Sequence, residues 1–207
     1  MKISYAITVK DELSEIQRLV SLLLNNKRSQ DEIVILLDET NGSKQVEEYL
    51  RTHSANSEFL WIAKPFYNHF ADWKNTLASL CDGDFIFQID ADEYPNEQLI
   101  ALLPELLESN PDVDLYWVPR INTVEGITPE HIKQWRWNVD EKGWVNFPDY
   151  QSRLYRKTQS ITWVNKVHEQ INGAQVFTHL PAEEEFCLYH PKTIERQEKQ
   201  NNYYNTL

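Results

Sequence analysis

Cysteine, methionine and glycine are scarce in this sequence, and each scarcity removes a class of function. There are two cysteines, Cys81 and Cys187, and one methionine. The cysteines are far apart with no Cys-x-x-Cys spacing, which argues against a structural zinc site or a disulfide framework and predicts reduced, buried thiols. Only five glycines are present. None forms Gly-x-Gly-x-x-Gly, Gly-x-x-x-x-Gly-Lys or Gly-x-Ser-x-Gly, so dinucleotide, P-loop and nucleophile-elbow readings lack support. Positive charge is in deficit as well, with 20 Lys and Arg against 32 Asp and Glu and a net charge of -12. That balance disfavours nucleic acid or an anionic membrane as a partner. Long apolar runs are missing: a stretch such as Ile33 to Leu37 is too short to span a bilayer. With no signal-peptide pattern at the start, the expected setting is the cytoplasm.

What remains is a chain of 207 residues, suited to one domain. Short, apolar, β-branched runs at 3–9, 32–37, 59–63, 85–89 and 113–118 predict strands. Helical spacing at Leu13, Ile16, Leu19, Val20 and Leu23, and again over Phe70 to Leu80 and Asn96 to Leu107, places helices between them. Strands that are apolar throughout and alternate with helices predict an α/β fold: a Rossmann-like sheet covered by helices on both faces. Ligands bind such sheets beyond the carboxyl ends of the strands, where Asp11, Asp38 and Asp90 stand.

From Arg120 to Asn146 this pattern breaks down into a long excursion that holds Trp135, Trp137 and Trp144. These three rings form either a stacking platform for sugar faces or a small satellite core. Strand-like runs return at 150–155, 161–164, 175–177 and 186–189, and a polar helix closes the chain. The basic residues Lys192, Arg196 and Lys199 on or beside that helix read as a solvated face.

Asp90-Ala91-Asp92-Glu93 at the end of the fourth apolar run is the strongest local signal. Carboxylates two apart on an extended chain share a face, and a divalent cation such as Mg²⁺ bridges one or two carboxylates to substrate phosphates. The competing reading is an acidic turn capping the next helix.

In this setting the chain resembles the family 2 glycosyltransferases of GT-A fold. The resemblance rests on Thr8-Val9-Lys10-Asp11-Glu12, on Ile33 to Ser43 with Asp38, on Asp72-Trp73-Lys74-Asn75, and on Gly83 to Glu93. The second half is similar to small bacterial and phage members through Asp149 to Arg156, Val167-His168-Glu169 and His190. The resemblance implies a mixed sheet, with residues 1–119 forming a nucleotide-sugar-binding half and 120–207 an acceptor-binding half with the C-terminal helix. It implies that Thr8, Lys10, Asp11, Asp38, Lys74, Asp90 and Ala91 contact the donor, UDP-linked by preference. Asp92 would bind Mn²⁺ or Mg²⁺ directly, Asp90 would lie near it, and His190 would be a further metal ligand or a phosphate contact.

Inverting transfer to an acceptor hydroxyl, on a glycan or a protein, also needs a base. Glu169 and Asp149 are the candidates. Glu169 is preferred because His168 beside it orients the site; the alternatives are a surface strand pair and a turn carboxylate after Pro148. Arg153 and His168 are assigned with the tryptophans to the acceptor side; Arg153 either pairs with an acidic residue of the site, contacts substrate or buttresses its strand. Two other functions fit the same signals: a metal-dependent nucleotidyltransferase, or a non-catalytic carbohydrate-binding module built on the tryptophans.

Overall fold

The computed structural model describes residues 1–54 and 58–204. The first half alternates as its hydrophobic pattern predicts. In order come β1 (Ile3–Val9), α1 (Leu13–Asn26), β2 (Glu32–Asp38), α2 (Lys44–His53), β3 (Leu60–Lys64), α3 (Phe70–Leu80) and β4 (Phe85–Asp90). The four strands lie parallel in the order β3-β2-β1-β4. The chain thus passes from one side of β1 to the other between β3 and β4, and this reversal of strand order opens a crevice at the strands' carboxyl ends.

Side-chain parity assigns the two faces. Ile3, Tyr5, Ile7 and Val9 of β1 pack with α1, α2 and the helix α4 (Glu97–Ser109), a core that also holds Leu19, Leu23, Leu50, Leu99 and Leu103. Ala6 faces the other way with Val34, Leu36 and Ile86, under Ala71, Trp73 and Leu77 of α3. Thr8, Asp38 and Asp90 continue that second parity past the apolar stretch. They emerge together beneath α3, which is why the Asp38 and Asp90 carboxylates share one face. Cys81 and Cys187 are both free and buried, as expected.

The second half departs from the sequence expectation in its strand order and lengths. After the two-residue strand β5 (Tyr94–Pro95) and α4, β6 runs over Leu115–Glu125, seven residues past the predicted end at 118. It is followed by α5 (Pro129–Trp135) and β7 (Val145–Arg156). The stretch read as a patternless excursion is therefore one long strand, a capped helix and the start of another strand. The capping box of Thr128 and His131 starts α5, a signal that the tryptophan count obscured.

β7 inserts antiparallel between β4 and β6, and β11 (Leu188–Thr193) lies parallel to β6 on its other side. The complete sheet is nine-stranded and mixed, with β10 (Phe177–His179) adding to β6. A separate hairpin of β8 (Thr162–Val164) and β9 (Gln170–Asn172) covers α3. Trp163 from that hairpin is buried in the α3-side core. The chain ends in α6 (Ile194–Tyr204). Among the described residues no helix is long and apolar enough to cross a membrane.

Candidate functional site

A cleft of about 270 Å³ opens at the carboxyl ends of β1, β2 and β4. Thr8, Lys10, Asp38, Asp90, Ala91 and Asp92 line its sheet side, and Lys74, His168 and Glu169 line the opposite wall. Nine of the residues proposed from sequence thus meet in one place. Asp11 is exposed on the adjoining turn, while Asp149, Arg153, His190 and the three tryptophans stand outside the cleft lining.

Each wall has a local reason. Thr8 and Asp90 are register partners, and the Thr8 hydroxyl donates to Asp90 Oδ1 at 2.9 Å. Asp38 ends β2 and folds the following turn over itself: its carboxylate accepts from the Thr40 and Asn41 amides at 2.9 and 3.1 Å and from the Asn41 side chain at 2.9 Å. The same turn needs Gly42, because a Cβ there would lie 2.3 Å from the Asp38 carbonyl oxygen. The β1–α1 turn is organised by Glu12, a residue the sequence reading quoted but gave no role. Its carboxylate accepts from the Lys10 and Asp11 amides at 2.8 and 3.1 Å.

The Lys74–Asn75 pair divides two tasks. Asn75 holds the hairpin on α3, donating to the Trp163 carbonyl at 2.8 Å and accepting from the Trp163 amide at 2.9 Å. Lys74, almost wholly buried, lies over the Trp163 ring at 4.5 Å. Its ammonium sits 2.7 Å from Glu169 and 3.9 Å from Asp90. Docking the hairpin therefore brings Glu169, 79 residues beyond Asp90 in sequence, to the mouth of the strands. Phe66, Phe70 and Trp73 complete this wall; the Phe66 ring lies 5.0 Å from Phe70 and 5.5 Å from Trp73. This aromatic surface inside the cleft was not read from the sequence, where helical spacing marked Trp73 as core.

Beneath the acidic motif lies a buried charge network. Glu93 is fully buried and accepts from Arg120 at 2.7 Å and Arg153 at 2.8 Å. Arg153 also reaches Asp90 at 2.7 Å. The β6–β7 register slips beside Arg153, where Trp117 pairs with Ser152 and Tyr116 with Leu154; such bulges re-aim a side chain. Of the two roles left open for Arg153, the geometry shows the contact with the site's acids. Burial opposes ionisation of Asp90, but Arg153 and Lys74 outweigh it and hold its carboxyl well below the usual range. Truncating Glu93 would empty a buried site and take one of two carboxylate partners from each of Arg120 and Arg153. Glu93→Ala is expected to lower the unfolding free energy by about 3–5 kcal/mol, measured by urea denaturation; a loss within experimental error would show that the network is not stabilising.

Asp149 belongs to this network. Its carboxylate accepts from Arg120 at 2.9 and 2.7 Å, Asn122 at 2.8 Å and Gln151 at 2.7 Å. Burial raises its pKa, but Arg120 and these donors reverse the effect and hold it down.

Asp92 and His190 form the second focus. His190 Nε2 lies 3.2 Å from Asp92 Oδ2, and its Nδ1 lies 2.7 Å from the Asn122 side-chain oxygen. Arg196 approaches the same Asp92 oxygen at 3.2 Å and also pairs with Glu12 and Glu15. Burial raises the Asp92 pKa, but His190 and Arg196 bring it down to about 2. The solvated-face reading of the C-terminal cations is thus corrected for two of the three. Lys192 and Arg196 turn inward because β11 and α6 pack beside β6, and only Lys199 is exposed.

The donor set bears on a divalent cation. Among the described residues no group of three His, Cys, Asp or Glu side chains converges to hold one. Asp90 is engaged by Thr8 and Arg153. The Asp92–His190 edge is close enough to share one ion, and Mg²⁺ and Mn²⁺ accept an incomplete protein set when substrate phosphates fill the rest. The residues fit a cation that binds together with a phosphate-bearing ligand.

The tryptophans cluster by themselves. Trp135 stacks on His131 at 5.0 Å and tilts against Trp137 at 4.7 Å, while Trp144 packs edgewise on Phe147 at 4.8 Å. Of the three, Trp137 lines a second cavity, on the far side of His190.

Comparison with known proteins agrees with this architecture. The family model described as Glycosyl transferase family 2 matches residues 4–184. No curated protein matches the sequence. Among solved structures, the chain is similar to residues 1–349 of S. aureus TarS, with a TM-score of 0.61 and 13% identity over 92% of this chain and 60% of that one. It is similar to the same fragment in complex with UDP-GlcNAc (TM-score 0.61, 13% identity, 93% and 59% covered). The UDP complex gives a TM-score of 0.60 at 12% identity, with 92% and 60% covered. At this identity the likeness shows a shared GT-A fold. The chain spans about 60% of the length of that TarS fragment.

Proposed function

We propose that this chain, which belongs to glycosyl transferase family 2 and is a glycosyltransferase, moves a sugar from a nucleoside-diphosphate donor, UDP-linked, to an acceptor hydroxyl with inversion at the anomeric carbon. The observation that carries the reading is the convergence of Asp38, Lys74, Asp90, Asp92 and Glu169 around one cleft at the ends of β1, β2 and β4. The TarS structures with UDP and UDP-GlcNAc share this fold and support uridine as the base.

In this reading the Asp38 turn and Lys10 receive the nucleoside, with the Phe66–Phe70 wall beside it. Asp90, fixed by Thr8 and Arg153, presents a carboxylate to the ribose. Asp92 and His190 would hold Mn²⁺ or Mg²⁺, which when bound offsets the charge of the departing diphosphate. Lys74 adds a positive charge that needs no reorganisation, since the hairpin already fixes it.

Glu169 is the base. It opens on the cleft and has one cationic partner, Lys74. Asp149 lies outside the cleft with four hydrogen bonds to its carboxylate, and its lowered pKa makes it a poor proton acceptor. The acceptor hydroxyl gives its proton to Glu169 as its oxygen bonds the anomeric carbon, and the bond from that carbon to the diphosphate breaks with its electrons leaving on the nucleoside diphosphate.

Calorimetric titration with UDP tests the donor site. Binding is expected in the presence of Mn²⁺ and at least tenfold weaker in Lys74→Met, because a charge-assisted contact worth roughly 1.5–3 kcal/mol is lost. No UDP binding at millimolar concentration would reject the reading.

A further inference from the structure

The second cavity, of about 210 Å³, lies between β6, the start of β7, β11 and α6. His190 forms the wall it shares with the acidic motif: one ring nitrogen faces Asp92 and the other faces Asn122. The lining contains no Asp or Glu, in a chain with 32 of them. Instead it presents Arg120 and Lys192 with the amides of Asn122, Asn146, Gln197 and Gln200.

The two cations differ. Arg120 is neutralised by Glu93 and Asp149 at 2.7 Å each. Lys192 is half-buried, donates to the Gln200 side-chain oxygen, and has no carboxylate within 4.0 Å among the described residues. A partly desolvated ammonium with no carboxylate in contact is costly; the Asn122 and Gln197 side-chain nitrogens already donate to Asp149 and Asn201, which leaves those of Asn146 and Gln200 as the donors that a bound oxyanion would use. Trp137 also lines the cavity, and an indole ring is a surface on which a sugar can stack.

From this arrangement we infer that the cavity is an oxyanion subsite for the acceptor: it takes a phosphate or carboxylate carried by the acceptor sugar, with Lys192 as its counter-ion. The inference rests on the donor reading in placing the nucleotide on the other side of His190. It narrows the acceptor from any hydroxyl to an anionic saccharide.

The test titrates inorganic phosphate, and separately glucuronate, into the full chain saturated with UDP and Mn²⁺. Both anions are expected to bind the wild type alongside UDP. Lys192→Gln is expected to weaken them roughly tenfold or more while UDP affinity is unchanged. Asn146→Asp is the second variant. Asn146 Oδ1 accepts from the Asn138 amide at 2.8 Å and its φ is 51°; Asp keeps the acceptor atom and tolerates that backbone, so the fold is retained while a negative charge enters the cavity. It should weaken both anions to the same degree. Phosphate that displaces UDP would assign Lys192 to the donor's diphosphate and overturn the inference. So would equal anion affinity in the variants, or no anion binding by a wild type that binds UDP. Failure of the wild type to bind UDP counts against the donor reading alone; the anions are then titrated into the unliganded protein, where the same loss in both variants is expected.

Discussion

Asp92→Ala is expected to lower sugar transfer by roughly 10³-fold, since in the proposed reaction Asp92 would carry a cation against the leaving diphosphate. The loss should fall mainly on kcat, because the Asp38 turn, Lys10 and the Phe66 wall still receive the nucleoside. The fold should survive. In the free protein Asp92 is bonded to His190 and Arg196, and Arg196 keeps Glu12 and Glu15 as partners, so the stability cost should be about 1–3 kcal/mol. Steady-state kinetics with Mn²⁺, alongside thermal unfolding, separates the two effects. Near-wild-type kcat in a folded Asp92→Ala protein would remove the cation from the mechanism.

Glu169→Gln should fail in a different way. The amide keeps the size of the side chain and an oxygen facing Lys74, but it cannot take a proton. Transfer is expected to fall by roughly 10²–10⁴-fold, with UDP affinity retained. The same change at Asp149 should act through stability, because that carboxylate is spent on Arg120, Asn122 and Gln151. Comparing kcat with unfolding free energy for the two amide variants assigns the base. A large kcat loss in Asp149→Asn with none in Glu169→Gln would reverse the assignment.

The donor side of this site was legible in the sequence because it is built from strand ends. Asp38 and Asp90 each close an apolar run whose length and parity fix where the polar residue emerges, parallel pairing aligns them, and Thr8, named from the family resemblance, pairs with Asp90 in that register. Lys74 was legible only through the family resemblance of Asp72-Trp73-Lys74-Asn75, not through the helix's apolar spacing.

What was not legible depends on contacts across long sequence separations. Arg153 meets Glu93 across 60 residues and Arg196 meets Glu15 across 181. Neither pair leaves a local periodicity, so Glu93 read as one more acid on a turn and Arg196 as part of a solvated face. The insertion of β7 between β4 and β6 was hidden similarly, since Asn146 to Gln151 are exposed or half-buried and only Val145 and Ser152 to Tyr155 are buried. The tryptophan-rich segment drew attention as a sugar platform, yet the aromatic residues that line the cleft are Phe66, Phe70 and Trp73, of which only Trp73 had been singled out, as part of a helical pattern.

Product analysis tests the central claim most directly. The protein is incubated with UDP-sugars and Mn²⁺, with an anionic saccharide as acceptor, and the phosphorus-containing products are resolved by ³¹P NMR. UDP should be released by the wild type and not by Asp92→Ala. Release of pyrophosphate would make the cleft a nucleotidyl-transfer site, and UDP-sugars left intact by a wild type shown to bind both UDP and the acceptor would contradict catalysis at this cleft.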